Sequence, residues 1–104
     1  MAEFVEVAQL DQLLPGASTT ITIANREIAL FNVDGAVYAI ADACLHQGLS
    51  LGCSRLQGKI VTCAGHGWRY DVTTGGTLQS PGYAVATYPV KVEDGKILVA
   101  IGQP

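Results

Sequence analysis

Apolar and polar positions alternate with period two along most of the chain, and no segment carries a long apolar stripe of period 3.6. "FVEV" (Phe4–Val7) and "STTITIA" alternate and predict strands. Between them "QLDQLLPG" predicts a single helical turn or a loop, ended by Pro15-Gly16. "REIALFNV" and "AVYAIA" flank Asp34-Gly35, a strong hairpin signal. "GKIVTC" and "WRYDV" predict two short strands, the second followed by a turn at Thr74-Gly75-Gly76. "ATYPVKV" and "KILVAI" flank Glu93-Asp94-Gly95 and predict a second hairpin. The pattern predicts an all-β fold of about nine or ten short antiparallel strands, with the spacing of a sandwich or barrel. No repeat, low-complexity tract or linker interrupts it, so residues 1–104 read as one domain.

Composition narrows the class. The chain of 104 residues leaves no room for a second core, and 49% hydrophobic with 14% charged residues marks a packed globular protein. The apolar runs are too short for a membrane span. A net charge of −3, with only 6 scattered Lys and Arg, argues against nucleic acid as a partner. The start, "MAEFVEVAQL", carries acids and no basic-then-apolar leader pattern, so a cytoplasmic protein is expected. The 3 cysteines are an odd number, and a core of this size needs no disulfide framework.

The candidate chemistry is concentrated. The stretch from Cys44 to Trp68 holds every cysteine, both histidines and the only tryptophan. Its spacing is Cys44-x-His46, then sixteen residues, then Cys63-x-x-His66. Each pair follows a predicted strand, so two loops from neighbouring strands can each present one thiolate and one imidazole. Thiolates suit zinc and iron–sulfur centres, and imidazole suits zinc and iron. One zinc could take all four ligands. Alternatively, two sulfide-bridged irons could divide them, thiolates on one and imidazoles on the other. The one-residue gap is tight for one tetrahedral metal and suits ligands directed at different irons.

"CLH" together with "CAGHGW" resembles the paired signature of Rieske [2Fe–2S] proteins. "HGWRYDVTTG" and "SPGYAVATYPVKVEDGKILV" extend the similarity, which covers roughly residues 30–101. The chain is similar to the small ferredoxins that feed bacterial aromatic-ring dioxygenases. The resemblance implies a base domain of antiparallel sheets with a smaller cluster-binding subdomain at about residues 42–83. It implies one [2Fe–2S] cluster per chain, with Cys44 and Cys63 on the inner iron and His46 and His66 on the outer, exposed iron. Two neutral imidazoles in place of thiolates raise the potential above that of all-cysteine clusters. Gly48, Gly52, Gly65 and Gly67 allow close backbone approach, and their N–H groups could reach cluster sulfurs.

Departures from the family's high-potential members define a subtype. Those members bridge their ligand loops with two further cysteines, and here Leu49 and Gly65 stand at those positions. Trp68 occupies the place of a serine hydroxyl, whereas Tyr70 is retained. A potential in the lower part of the Rieske range of about −150 to +300 mV is expected. Tyr70 either supports the cluster region through its hydroxyl or packs as a strand residue, and Trp68 is read as packing. Cys53 reads as a small buried hydrophobe. Ser80–Tyr83 resembles the proline loop that covers the cluster, and Leu45, Gln47, Ala64 and Pro81 would ring the exposed histidines. Asp42, Asp71, Glu93 and Asp94 read as solvated surface acids.

The resemblance implies a monomeric one-electron carrier with no catalytic residues of its own. A flavin-containing reductase would reduce it and a terminal Rieske oxygenase would oxidise it. Two alternatives compete: a small subunit of a larger oxidoreductase such as nitrite reductase, and a zinc-stabilised binding module.

Overall fold

The computed structural model describes residues 3–23, 25–42, 55–63, 68–78 and 84–101. Ten strands form among them: β1 (Glu3–Gln9), β2 (Ser18–Ile23), β3 (Arg26–Val33), β4 (Ala36–Ala41), β5 (Arg55–Gln57), β6 (Ile60–Thr62), β7 (Arg69–Asp71), β8 (Thr87–Tyr88), β9 (Val90–Glu93) and β10 (Lys96–Ile101). A single 3-10 turn at Leu10–Gln12 interrupts this all-β arrangement. The described strands build three antiparallel sheets, ordered β1-β10-β9, β2-β3-β4-β8 and β5-β6-β7.

The four-stranded sheet is covered on both faces. One core gathers Leu13, Ile28, Leu30, Val37, Ala39, Ile97 and Val99 against the β1-β10-β9 sheet. The other gathers Ala29, Phe31, Ile40, Val61, Cys63, Tyr70, Val72 and Val85 against the β5-β6-β7 sheet. Successive side chains of a strand point to opposite faces. Ile28, Ala29, Leu30 and Phe31 are therefore an unbroken apolar run, each 0% exposed, because β3 serves both cores.

Both predicted hairpins form. Asp34 and Gly35 take φ of 53° and 96°, and Asp94 and Gly95 take 52° and 76°. This left-handed pair is the turn whose twist matches flanking strands, and Asp-Gly tolerates it best. The buried Asn32 supports the first hairpin. It accepts the Gly35 N–H at 2.7 Å and donates from Nδ2 to the Leu13 carbonyl at 2.7 Å.

Two expectations change. "ATYPVKV" is not one strand, because Pro89 lacks an N–H and cannot continue a ladder. The chain changes sheet there: β8 pairs with β4, and β9 pairs with β10. The Pro89 carbonyl still serves the fold, accepting the Ala100 N–H at 2.9 Å. β5 was not anticipated. It is three residues long, too short to show alternation, and exists through its pairing with β6.

Candidate metal centre

The two halves of the ligand motif grow from one core. The first follows β4, whose last residue, Ala41, packs against the cluster that contains Cys63. The second begins where β6 ends. Cys63 is 1% exposed, and its N–H donates to the Trp68 carbonyl at 2.7 Å. That bond closes the loop carrying His66 directly beyond the last β6–β7 pair, Thr62 and Arg69. Trp68 is half-buried and packs against the same core, as its packing role predicts. Tyr70 is 0% exposed within it, in agreement with a strand packing role.

Cys63 is the one expected ligand among the described residues. Cys44, His46 and His66 lie outside them, as do Leu45, Gln47, Gly48, Leu49, Gly52, Cys53, Ala64, Gly65, Gly67 and Ser80–Tyr83. The donor set suits a mixed thiolate–imidazole iron–sulfur centre. The described frame fits it too, because Ala41 at the end of β4 and Cys63 after β6 reach the same hydrophobic cluster from two different sheets.

The segment after β7 folds back onto β7 itself. The Leu78 N–H donates to the Arg69 carbonyl at 2.9 Å, and Tyr70 bridges Thr77. On the return path Gly76 bridges Ala84, and the Val85 N–H donates to the Gly75 carbonyl at 2.9 Å. Leu78 and Ala84, the described residues on either side of 79–83, are therefore tied to Arg69 and Gly76.

Two of the four expected surface acids are structural instead. Asp42 is 4% exposed. Its N–H donates to the Glu27 carbonyl at 3.0 Å, and the Thr20 hydroxyl donates to its Oδ1 at 3.2 Å. Asp71 closes the turn after β7. Its Oδ1 accepts the Thr73 N–H at 2.9 Å and the Thr73 hydroxyl at 2.5 Å, and Oδ2 meets Lys59 Nζ at 3.3 Å. Its carbonyl accepts the N–H groups of Thr74 and Gly75. The sequence read the Thr74-Gly75-Gly76 turn but missed the acid that organises it. The signal was available in Asp71-x-Thr73, an Asx-turn pattern. Glu93 and Asp94 are exposed as expected.

Burial pushes the Asp71 carboxyl up, but the Thr73 hydroxyl and N–H and the Lys59 ammonium outweigh it and hold the group below its ordinary value. A folded-state pKa below the unfolded one, about 3.9, contributes stability that is complete above the unfolded value. That contribution is lost as pH falls through the folded value. Asp71→Asn should therefore lower the thermal midpoint at pH 7, and the difference between the two proteins should shrink as pH falls below the unfolded value. A difference that does not change from pH 7 down through the acid range would show that the charge contributes nothing. Lys59 is 59% exposed, so the ion pair itself adds little.

Residues 3–89 match the Rieske [2Fe–2S] domain, and the chain belongs to that family, whose cofactor is a [2Fe–2S] cluster. It is 32% identical over 98 residues to the ferredoxin component of a naphthalene 1,2-dioxygenase system from Pseudomonas putida, covering 93% of this chain and 94% of that one. It superposes with a TM-score of 0.86 at 27% identity on a chain from a complex of reduced oxygenase and oxidised ferredoxin in carbazole 1,9a-dioxygenase, covering 93% and 92%. A TM-score of 0.90 to an NADH-dependent nitrite reductase small subunit from Mycobacterium tuberculosis, over 100% and 99%, comes at 22% identity and shows the fold alone.

Proposed function

We propose that this chain is the ferredoxin component of an aromatic-ring dioxygenase system, a one-electron carrier and not itself a catalyst. The carrying observation is likeness at ferredoxin length. The naphthalene-system relative is 32% identical and aligns over more than nine-tenths of both chains. The complete Cys44-x-His46 and Cys63-x-x-His66 set supports the same reading. When bound, the cluster supplies a one-electron couple whose imidazole-ligated iron keeps its potential above that of all-cysteine centres.

In this reading Cys44 and Cys63 hold one iron, and His46 and His66 hold the other. Cys63, buried at the end of β6, anchors the inner side within the core. The Cys63 N–H and the Trp68 carbonyl are bonded to each other, which ties together the two described residues on either side of residues 64–67. Residues at about 42–83 form the cluster-binding part, and the other two sheets form the base. The electron source is a flavin-containing reductase, and the recipient is a terminal Rieske oxygenase. The protein works as a monomer in the cytoplasm, a reducing compartment in which structural disulfides are rare.

Anaerobically purified protein is expected to be brown, with a low average g in the EPR of its reduced form. Redox titration should place its midpoint in the lower part of the range of about −150 to +300 mV. Turnover reconstituted with a flavoprotein reductase and a terminal oxygenase should depend on it. A colourless protein with stoichiometric zinc overturns the proposal, and co-purification as a fixed complex with a nitrite-reducing partner would favour the subunit reading.

A further inference from the structure

The acids of the chain are unevenly placed. Of the 9 Asp and Glu residues, only Asp71 falls between Asp42 and Glu93. The β5-β6-β7 sheet lies in that stretch. With the turn that joins β5 to β6 it carries Arg55, Lys59 and Arg69 against that one acid. The sheet is therefore net positive, although the chain as a whole stands at −3. Register decides which face the row of arginines takes. Leu56, Val61 and Tyr70 form one cross-strand row, and all three pack in or against the hydrophobic core. Successive rows of a sheet alternate between its faces. The neighbouring row of Arg55, Thr62 and Arg69 therefore belongs to the face turned away from the core. Leu78 extends that row, because its N–H donates to the Arg69 carbonyl while Thr77 bridges Tyr70. Arg69 is exposed, and Leu78 is 46% exposed. Asp71 is held by Thr73 and Lys59. Arg69 has a contact of its own within the fold, and its guanidinium stays charged there.

We propose that the outer face of the β5-β6-β7 sheet docks an acidic surface of the flavoprotein reductase that supplies the electron. The inference rests on the electron-carrier reading and adds to it the surface and the charge of one partner. A net positive face attracts an acidic protein surface and orients it during approach. The rest of the chain works in the same direction. With Asp71 set aside from the 9 acids, and Arg55, Lys59 and Arg69 from the 6 cations, it holds 8 acids against 3 cations. An acidic partner is therefore repelled from the base and drawn to this sheet. Leu78 gives the cationic row an apolar neighbour that a docked surface can dehydrate. The sign of the charge also selects the donor. Reduction adds one negative charge to the carrier, so an acidic surface holds the oxidised form more tightly than the reduced form. A donor needs that order, because it binds the oxidised carrier and releases the reduced one. An electron acceptor needs the reverse.

The test measures binding of the cluster-loaded, oxidised protein to the flavoprotein reductase that supports its reconstituted turnover, at low and at high salt. Arg55→Gln combined with Arg69→Gln should raise Kd about tenfold at low salt, the loss expected from two exposed charge contacts. The difference should shrink at high salt, where such contacts are screened. Lys91→Gln combined with Lys96→Gln makes the same change in net charge on β9 and β10 and should leave Kd near the parent value. Arg55→Lys combined with Arg69→Lys keeps the charge and should also bind near the parent value. If the double glutamine variant fails to fold, Lys59→Gln decides in its place, with a rise of about threefold expected. The reduced parent should bind the reductase more weakly than the oxidised parent. Parent affinity in the double arginine variant overturns the proposal and leaves the electron-carrier reading standing. Equal losses in the arginine and lysine pairs also overturn it, because overall charge and not this face would then govern binding. A loss of affinity for the terminal oxygenase alone overturns the choice of partner, as does tighter binding of the reductase to the reduced protein. If no flavoprotein reductase reduces the parent, the electron-carrier reading itself fails, and the docking assignment falls with it.

Discussion

Replacing His46 or His66 with alanine should abolish the native visible and EPR spectra, whereas Cys53→Ser should leave them unchanged. The proposed centre draws one thiolate and one imidazole from each loop, with no spare histidine in the chain, which has 2. Loss of either imidazole opens a coordination position on the outer iron that only water or a foreign ligand can fill. The loss should therefore be complete and not graded. Cys63→Ala extends the test to the inner iron. Cys63 is both a core residue and a proposed ligand, but its removal takes only one sulfur from a cluster of eight buried residues. Far-UV circular dichroism should keep its β signature while the iron spectrum disappears. Loss of the spectrum in Cys53→Ser would make the ligand assignment wrong.

The second large effect is expected at Gly75, far from any ligand in sequence. Its φ is 79°, a conformation that costs other L-residues about 1–2 kcal/mol. A Cβ at this position would also press into the Val85 carbonyl oxygen and the Thr87 side chain. Both neighbours are fixed, since Val85 is bonded back to Gly75 and Thr87 is paired in β8. The turn itself cannot yield readily, because the Gly75 N–H is bonded to the Asp71 carbonyl at 2.7 Å. Strain and clash together should make Gly75→Ala cost about 3 kcal/mol. For a domain of this size that lowers the thermal midpoint by roughly 12–24 °C. Gly58→Ala is the control. Gly58 also has positive φ, 63°, but open space where a Cβ would sit. Only the conformational part remains there, so its midpoint should fall by about one-third to two-thirds as much. Equal losses at the two sites would show that close packing against Val85 is unimportant. A larger loss at Gly75 would tie the stability of the β7 turn to the segment that rejoins the fold at Ala84.

Much of the site was readable because its chemistry is local. Metal-ligand spacing needs only residue types and intervals, and those of Cys44, His46, Cys63 and His66 are printed in the chain. The hairpins at Asp34-Gly35 and Asp94-Gly95 were readable for a similar reason, since positive φ is a property of two residues. Asp42 was misread because burial is not local: it looks like any solvated acid until Thr20, 22 residues away in sequence, is brought beside it. Asp71 was misread although its Thr73 partner is local. Pro89 is an intermediate case. The sequence announced a residue that cannot donate to a ladder. Only the pairing of β8 with β4 and of β9 with β10 shows that the chain changes sheet there.

By itself, then, the sequence determined the all-β class and the hairpin turns, and it carries the spacing from which the ligand set is proposed, because period, turn chemistry and spacing are short-range properties of the chain. The tertiary structure alone decided that β3 serves two cores, that β5 exists, that Ala41 and Cys63 reach one hydrophobic cluster, and that Asp42 is a buried support. Each of these depends on contacts between residues distant in sequence, and their energies come from shared burial that no single segment contains.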